Sequence, residues 1–172
     1  LIMGTAGHVD HGKTALIRAL SGFDCDTHPQ EKKRGITINL GFTHIDLNSE
    51  TQLGIVDVPG HKDFIHTMAA GASGINFALF VVAADSGVMP QTVEHLNIMK
   101  SLGISAGVIA LTKADLVDSE LQELAIEDVR SLCQNSFLEN AEIIPVSSIS
   151  GAGIPQLRSA IERLVSRIRL PN

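Results

Sequence analysis

The chain has 172 residues, 44% of them hydrophobic, with a mean hydropathy of +0.21, which is long enough to bury one core and too apolar for disorder. A net charge of −6 works against autonomous nucleic-acid binding, and the longest apolar stretch, Phe77 to Ala84, is too short to cross a bilayer. The two cysteines, Cys25 and Cys133, lie far apart without metal-ligand spacing, and no basic segment precedes a cleavable apolar one; both observations fit a reducing cytoplasm.

The chain opens inside a predicted strand, Leu1 to Thr5, so at most a residue or two is expected to precede it. Residues 7 to 14, Gly7-His8-Val9-Asp10-His11-Gly12-Lys13-Thr14, fit G-x-x-x-x-G-K-[ST], the phosphate-binding loop. Thr14 to Leu20 read as a helix stopped by Gly22, and Phe23 to Gly35 form a charged stretch without a period. A loop of that length is usually functional or mobile, and Phe23 to Ile38 is expected to become ordered around Thr37 when a γ-phosphate is bound. Phe42 to Leu47 alternates as a strand, Asn48-Ser49-Glu50 turns it, and Leu53 to Val56 returns, which predicts an antiparallel hairpin. Lys62 to Gly71 reads as a helix with Phe64, Ile65, Met68 and Ala69 on one face.

Phe77 to Ala83 is continuously apolar, as expected of a strand covered on both faces. Pro90 opens a helix whose Val93, Leu96, Ile98, Met99 and Leu102 are expected inward and which Gly103 ends. Ala106 to Leu111 is the next buried strand. Ser119-Glu120-Leu121-Gln122 fits a capping box, with Leu121, Leu124, Ala125, Val129, Leu132 and Cys133 as the apolar stripe behind it. Ile143 to Val146 is the last strand, and Pro155 opens a final helix with Leu157, Ile161, Leu164 and Ile168 facing in.

Strands that alternate with helices after a hairpin call for an α/β fold of the P-loop NTPase kind. The expected sheet has six strands, mostly parallel, with one antiparallel edge strand and helices on both faces. Residues 1–168 form one domain in this reading, and residues 169–172 start a linker to further domains. Ligands in such sheets sit at the carboxyl ends of the strands. The phosphate loop, Asp57, Thr112 to Asp115 and Ser147 each follow a predicted strand, so they converge on one edge.

Their chemistry is coherent. Backbone N–H groups of the loop cradle phosphate, and the positive end of the helix adds to them. Lys13 supplies a cation to the β- and γ-phosphates, and the Thr14 hydroxyl a ligand to Mg²⁺. Asp57, in Asp57-Val58-Pro59-Gly60, can hold a Mg²⁺-bound water, while Gly60 can present its N–H to the γ-phosphate. In Thr112-Lys113-Ala114-Asp115 the carboxylate accepts from N1–H and the 2-amino group of guanine, which adenine cannot offer. The Lys113 stem can lie across the ring. Thr37, in Arg34-Gly35-Ile36-Thr37, can complete Mg²⁺ coordination. His61 stands where an attacking water would be oriented. His8 and His11 read as parts of the phosphate cradle rather than as metal ligands, since no third ligand converges with them. Each short motif also has a plain structural reading, a Gly-rich turn or a polar strand-to-helix turn, and it is their succession that favours GTP and Mg²⁺.

These motifs, together with Met89-Pro90-Gln91-Thr92-x-Glu94-His95, resemble those of the translational GTPases in order and spacing. Within that family, Glu31 to Phe42 and Thr112-Lys113-Ala114-Asp115, in place of the commoner Asn-Lys-x-Asp, are most similar to the selenocysteine-specific elongation factors. The resemblance covers the first domain of such factors. It implies GTP hydrolysis, slow without the ribosome, coupled to delivery of selenocysteinyl-tRNA. Partners would be the ribosome and aminoacyl-tRNA, with no membrane, in a cytoplasmic and monomeric domain.

The resemblance also implies site residues. His61 and Lys13 would be catalytic. Gly7, Val9, Asp10, His11, Gly12, Lys13, Thr14, Ala15 and Gly60 would surround the phosphates, and Thr14, Thr37 and Asp57 the Mg²⁺. Thr112, Lys113, Asp115, Ser147, Ser148 and Ile149 would surround the base, with a backbone N–H of the Ser147-Ser148-Ile149 segment meeting O6. Val9 and Ile36 would flank the route of His61 to the water. Other tRNA-carrying elongation or initiation factors, a nucleotide-dependent metallochaperone and a binding module without turnover remain as alternatives.

Overall fold

The computed structural model describes residues 1–7, 12–21, 41–47, 51–57, 75–101 and 103–168. In chain order these form β1 (Ile2–Gly7), α1 (Lys13–Ser21), β2 (Gly41–Asp46), β3 (Gln52–Asp57), β4 (Phe77–Ala83), α2 (Pro90–Ser101), β5 (Gly107–Thr112), a 3₁₀ turn (Ala114–Leu116), α3 (Ser119–Cys133), β6 (Ile143–Pro145) and α4 (Ile154–Ile168). Among the described residues the six strands make one sheet in the order β2-β3-β1-β4-β5-β6. Only the β2–β3 pair is antiparallel, and β2 is an edge strand. The expected sheet is therefore the observed one. The expected helix from Lys62 to Gly71, the Gly22 stop and the turn at 48–50 lie outside the described residues.

The apolar run of β4 serves two cores at once. Side chains alternate along a strand, so Phe77, Leu79 and Val81 enter one cluster while Ala78, Phe80 and Val82 enter the other. The first cluster is closed by Leu16, Ile17 and Leu20 of α1 and by Leu157, Ile161 and Val165 of α4. The second is closed by Leu96 and Met99 of α2 and by Ala125, Val129 and Cys133 of α3. The sheet is thus covered on both faces. Arg158 of α4 fastens α1 and β2 together, its guanidinium donating to the carbonyls of Leu20 and Asp46. Leu20 belongs to the last turn of α1, where carbonyls lack helical partners and a cation is favourable.

Helix phase differs from the expectation in two places. In α2 the buried stripe is Thr92, His95, Leu96 and Met99, and Val93 is 38% exposed. Pro90 occupies the first position of the helix and sets its phase, so positions 92, 95, 96 and 99 share the inner face with Val93 at its margin. The Ile98 side chain and residue 102 lie outside the described residues. In α3 the cap is Asp118 rather than Ser119, its carboxylate accepting from the Leu121 N–H at 2.9 Å. Ala125, Val129 and Cys133 form the buried stripe, whereas Leu121 and Leu124 are about half exposed. Leu121 lies one turn before the stripe, and Leu124 sits one residue off it.

Cys133 is buried at the end of α3, and desolvation pushes its thiol up to about 11 from an ordinary 9.0, against a weaker opposite pull from Arg130. A raised thiol pKa favours the folded state below the unfolded value, and that contribution is lost as pH rises through the folded value. Stability should therefore fall between about pH 9 and 11 by at most about 3 kcal/mol through this group alone. Urea unfolding of the native chain and of Cys133→Ala at pH 8 and 10.5 measures it. The chain has no tyrosine to overlay the titration, and its lysines are common to both proteins. An equal loss in both would assign the fall to other groups.

Candidate functional site

The carboxyl ends of β1, β3, β5 and β6 bring the expected segments to one edge of the sheet. β1 ends at Gly7, beside Val81 of β4, where a Cβ would overlap the Val81 carbonyl. Only glycine lets the chain leave the strand at that point. The loop closes on Gly12, whose φ of 78° is left-handed and whose missing side chain leaves open space. Gly12 then starts the helix, its carbonyl accepting from the Leu16 N–H at 2.9 Å. Lys13 follows at the first turn of α1, 4% exposed, with Thr14 half-buried and Ala15 exposed. Val9, Asp10 and His11 lie outside the described residues, as do His8, Ile36, Thr37, Gly60 and His61.

Asp57 is the last residue of β3, in register with Thr5 of β1 and with Gly41 of β2. The Thr5 hydroxyl donates to the Val56 carbonyl at 3.3 Å, which ties the two strands together just before their ends. Two residues on in β1 stands Gly7, so Asp57 and the start of the phosphate loop leave the same edge side by side.

The base-selecting segment begins at Thr112, the last residue of β5. Its side chain is 2% exposed, and its hydroxyl donates to the Val82 carbonyl of β4 at 3.4 Å. Lys113 then adopts a left-handed backbone, φ 57° and ψ 32°, which turns the chain sharply out of the sheet. Asp115, in the 3₁₀ turn that follows, is exposed. The Ala114 N–H donates to the Val146 carbonyl at 3.1 Å, which fastens this turn to the segment after β6.

That segment is a tight turn built on Ser147. The Ser147 N–H donates to Ala152, its carbonyl accepts from Gly151, and its side-chain oxygen accepts from the Ser150 N–H at 3.2 Å. Ser147 is 1% exposed, and its N–H, carbonyl and side-chain oxygen all serve the turn. Ser148 is half-buried and Ile149 is 91% exposed, and their N–H groups make no hydrogen bond among the described residues. Two adjacent backbone donors therefore stand open beside the turn that carries Asp115, a donor set suited to a carbonyl oxygen.

Two features lay beyond sequence reasoning. Val81 and Val82 of β4 receive the phosphate loop on one side and Thr112 on the other, and nothing in a run of apolar residues announces that. Thr92 and His95 of α2 are fully buried. Thr92 accepts from the Met89 N–H at 3.1 Å while its own N–H donates to the Met89 carbonyl, a reciprocal cap that the Met-Pro-Gln-Thr spacing allows. Among the described residues no group of three His, Cys, Asp or Glu side chains could hold a metal ion, and no helix is long and apolar enough to cross a membrane.

Comparison with known proteins places this arrangement. The family described as Elongation factor Tu GTP binding domain matches residues 1–167. The selenocysteine-specific elongation factor of Desulfomicrobium baculatum is 55% identical over 166 residues, covering 96% of this chain and 26% of that protein. A crystal structure of a bacterial selenocysteine-specific elongation factor, EF-Sec, superposes with a TM-score of 0.91 at 44% identity, over 97% of this chain and 29% of that one. Elongation factor SelB from Methanococcus maripaludis, solved with the GTP analogue GppNHp, superposes with a TM-score of 0.86 at 30% identity over 99% of this chain and 35% of its own. The chain thus spans about a quarter to a third of the length of these relatives.

Proposed function

The chain belongs to the family of elongation factor Tu GTP-binding domains, and from that premise we propose that it binds and hydrolyses GTP as the switch of a factor that delivers selenocysteinyl-tRNA to the ribosome. The observation that carries the tRNA assignment is the 55% identity to a selenocysteine-specific elongation factor over 96% of the chain. Translation initiation factor 2 subunit gamma of Thermococcus onnurineus matches 95% of the chain at 38% identity, which keeps an initiation factor as the second reading at lower identity. The metallochaperone reading has no observation above in its favour.

Residues of this chain fit the nucleotide. The open, left-handed Gly12 and the nine-residue α1 behind it suit a phosphate group, because helix N–H groups and dipole point there. Lys13 would neutralise the β- and γ-phosphates from its buried position. Thr14, Thr37 and Asp57 would hold Mg²⁺, directly or through water, and the ion would neutralise charge that develops on the phosphates. Asp115 would accept from N1–H and the 2-amino group of guanine, while the open N–H groups of Ser148 and Ile149 would donate to O6. His61 would hold the attacking water in line with the γ-phosphorus.

The test uses the complete protein as its gene encodes it. Selenocysteinyl-tRNA should be protected from ester hydrolysis with GTP present and much less with GDP, and seryl-tRNA should not be protected in either state. Equal protection of both aminoacyl-tRNAs would replace selenocysteine specificity with general tRNA carriage.

A further inference from the structure

Thr112 is held differently from a group that reads a base. Its hydroxyl donates to the Val82 carbonyl at 3.4 Å, its carbonyl accepts from the Ala84 N–H at 2.8 Å, and 2% of the residue is exposed. The ends of β4 and β5 are therefore stitched twice at one level. One residue earlier in β4, the Val81 carbonyl lies so close to Gly7 that a Cβ there would overlap it. Two consecutive carbonyls of β4 thus meet the start of the phosphate loop on one side and the start of the base-selecting turn on the other. The Thr112 hydroxyl is hydrogen-bonded to the second of them.

The same bond limits what Thr112 can say to guanine. A hydroxyl has one proton to donate, and here it is committed to Val82. The outer edge of guanine carries two acceptors, O6 and N7, and an acceptor is recognised only by a donor. The N–H groups of Ser148 and Ile149 are available to O6, and Asp115, an acceptor, is matched to the N1–H and 2-amino donors. Building on the guanine-nucleotide reading above, we propose that Thr112 is a positioning residue that sets the span between the phosphate and base loops, and that no donor among the described residues reads guanine N7.

Removing N7 from the nucleotide tests it. Fluorescent GDP bound to the 172-residue chain is displaced with GDP and with 7-deaza-GDP, in which a C–H replaces N7. The two should compete within about threefold of each other. Thr112→Ser keeps the hydroxyl and should behave as the native chain does. Thr112→Val keeps the shape and removes the tie; it should weaken both nucleotides by the same factor, about three- to tenfold, with their ratio unchanged. If 7-deaza-GDP binds the native chain tenfold or more weakly than GDP, N7 is read and the proposal fails, whether or not Thr112→Val abolishes the difference. Unaltered GDP affinity in Thr112→Val would overturn the positioning role. Failure of GDP itself to displace the probe from the native chain would instead remove the guanine reading, and this inference with it.

Discussion

Asp115→Asn should turn the base preference of this chain from guanine toward xanthine. A carboxylate only accepts, so it is matched to the paired N1–H and 2-amino donors of guanine and mismatched to adenine, which has neither. Asp115 is carried on a turn fastened on both sides, by Thr112 to β4 and by Ala114 to Val146, so it would meet a base in a set position. A site built for a polar partner that is then missing discriminates by about 10⁴-fold or more. The amide that replaces the carboxylate offers a donor, which suits the 2-oxo group of xanthine and opposes the 2-amino group of guanine. Displacement of a fluorescent nucleotide by GDP, XDP and ADP reads the change directly. The native chain should prefer GDP over ADP by at least about 10³-fold, and the variant should prefer XDP over GDP. Equal competition by ADP against the native chain would remove Asp115 from the base-reading role.

His61→Ala should leave GDP affinity nearly intact and abolish stimulation of hydrolysis by the ribosome. His61 follows Gly60 in Asp57-Val58-Pro59-Gly60-His61, past the end of β3, so its proposed place is at the γ-phosphate rather than at the two phosphates GDP retains. Arg34 is the nearest candidate in the sequence for a cis arginine and lies outside the described residues. No described residue is placed as one, and a missing transition-state cation costs about 10³- to 10⁵-fold. Turnover of the native protein alone should accordingly be slow. An external activator must supply what is missing, and a chain of net charge −6 has no general pull toward RNA, so the activator must be met through a specific surface. Single-turnover hydrolysis by the complete protein, with and without ribosomes, compares the two. Unchanged stimulation in the alanine variant would show that another group orients the water.

Sheet and site were legible in the chain to different depths. Strand positions came through because burial on two faces leaves a continuous apolar run, as in β4, and burial on one leaves alternation, as in the β2–β3 hairpin. The phosphate loop was legible because backbone chemistry there requires particular residues: glycine at 7 against the Val81 carbonyl and at 12 for a left-handed turn. Helix phase was less legible. Val93 and Leu121 are apolar at plausible positions, yet both are exposed, because burial depends on what lies opposite and not on the residue itself.

The partner of a polar side chain was the least legible feature. By the resemblance, Thr112 is expected at the head of a base-reading motif, among the residues around the base. Its proton goes instead to Val82, thirty residues earlier in the chain. Ser147 likewise reads as a site residue, while in the fold its polar groups hold the turn and leave Ser148 and Ile149 with the open donors. Local chemistry, written in glycine, lysine and carboxylate types at set spacings, is carried by the chain alone. Hydrogen bonds between strands join residues far apart in sequence, so their assignment waits on the packing that brings those strands together.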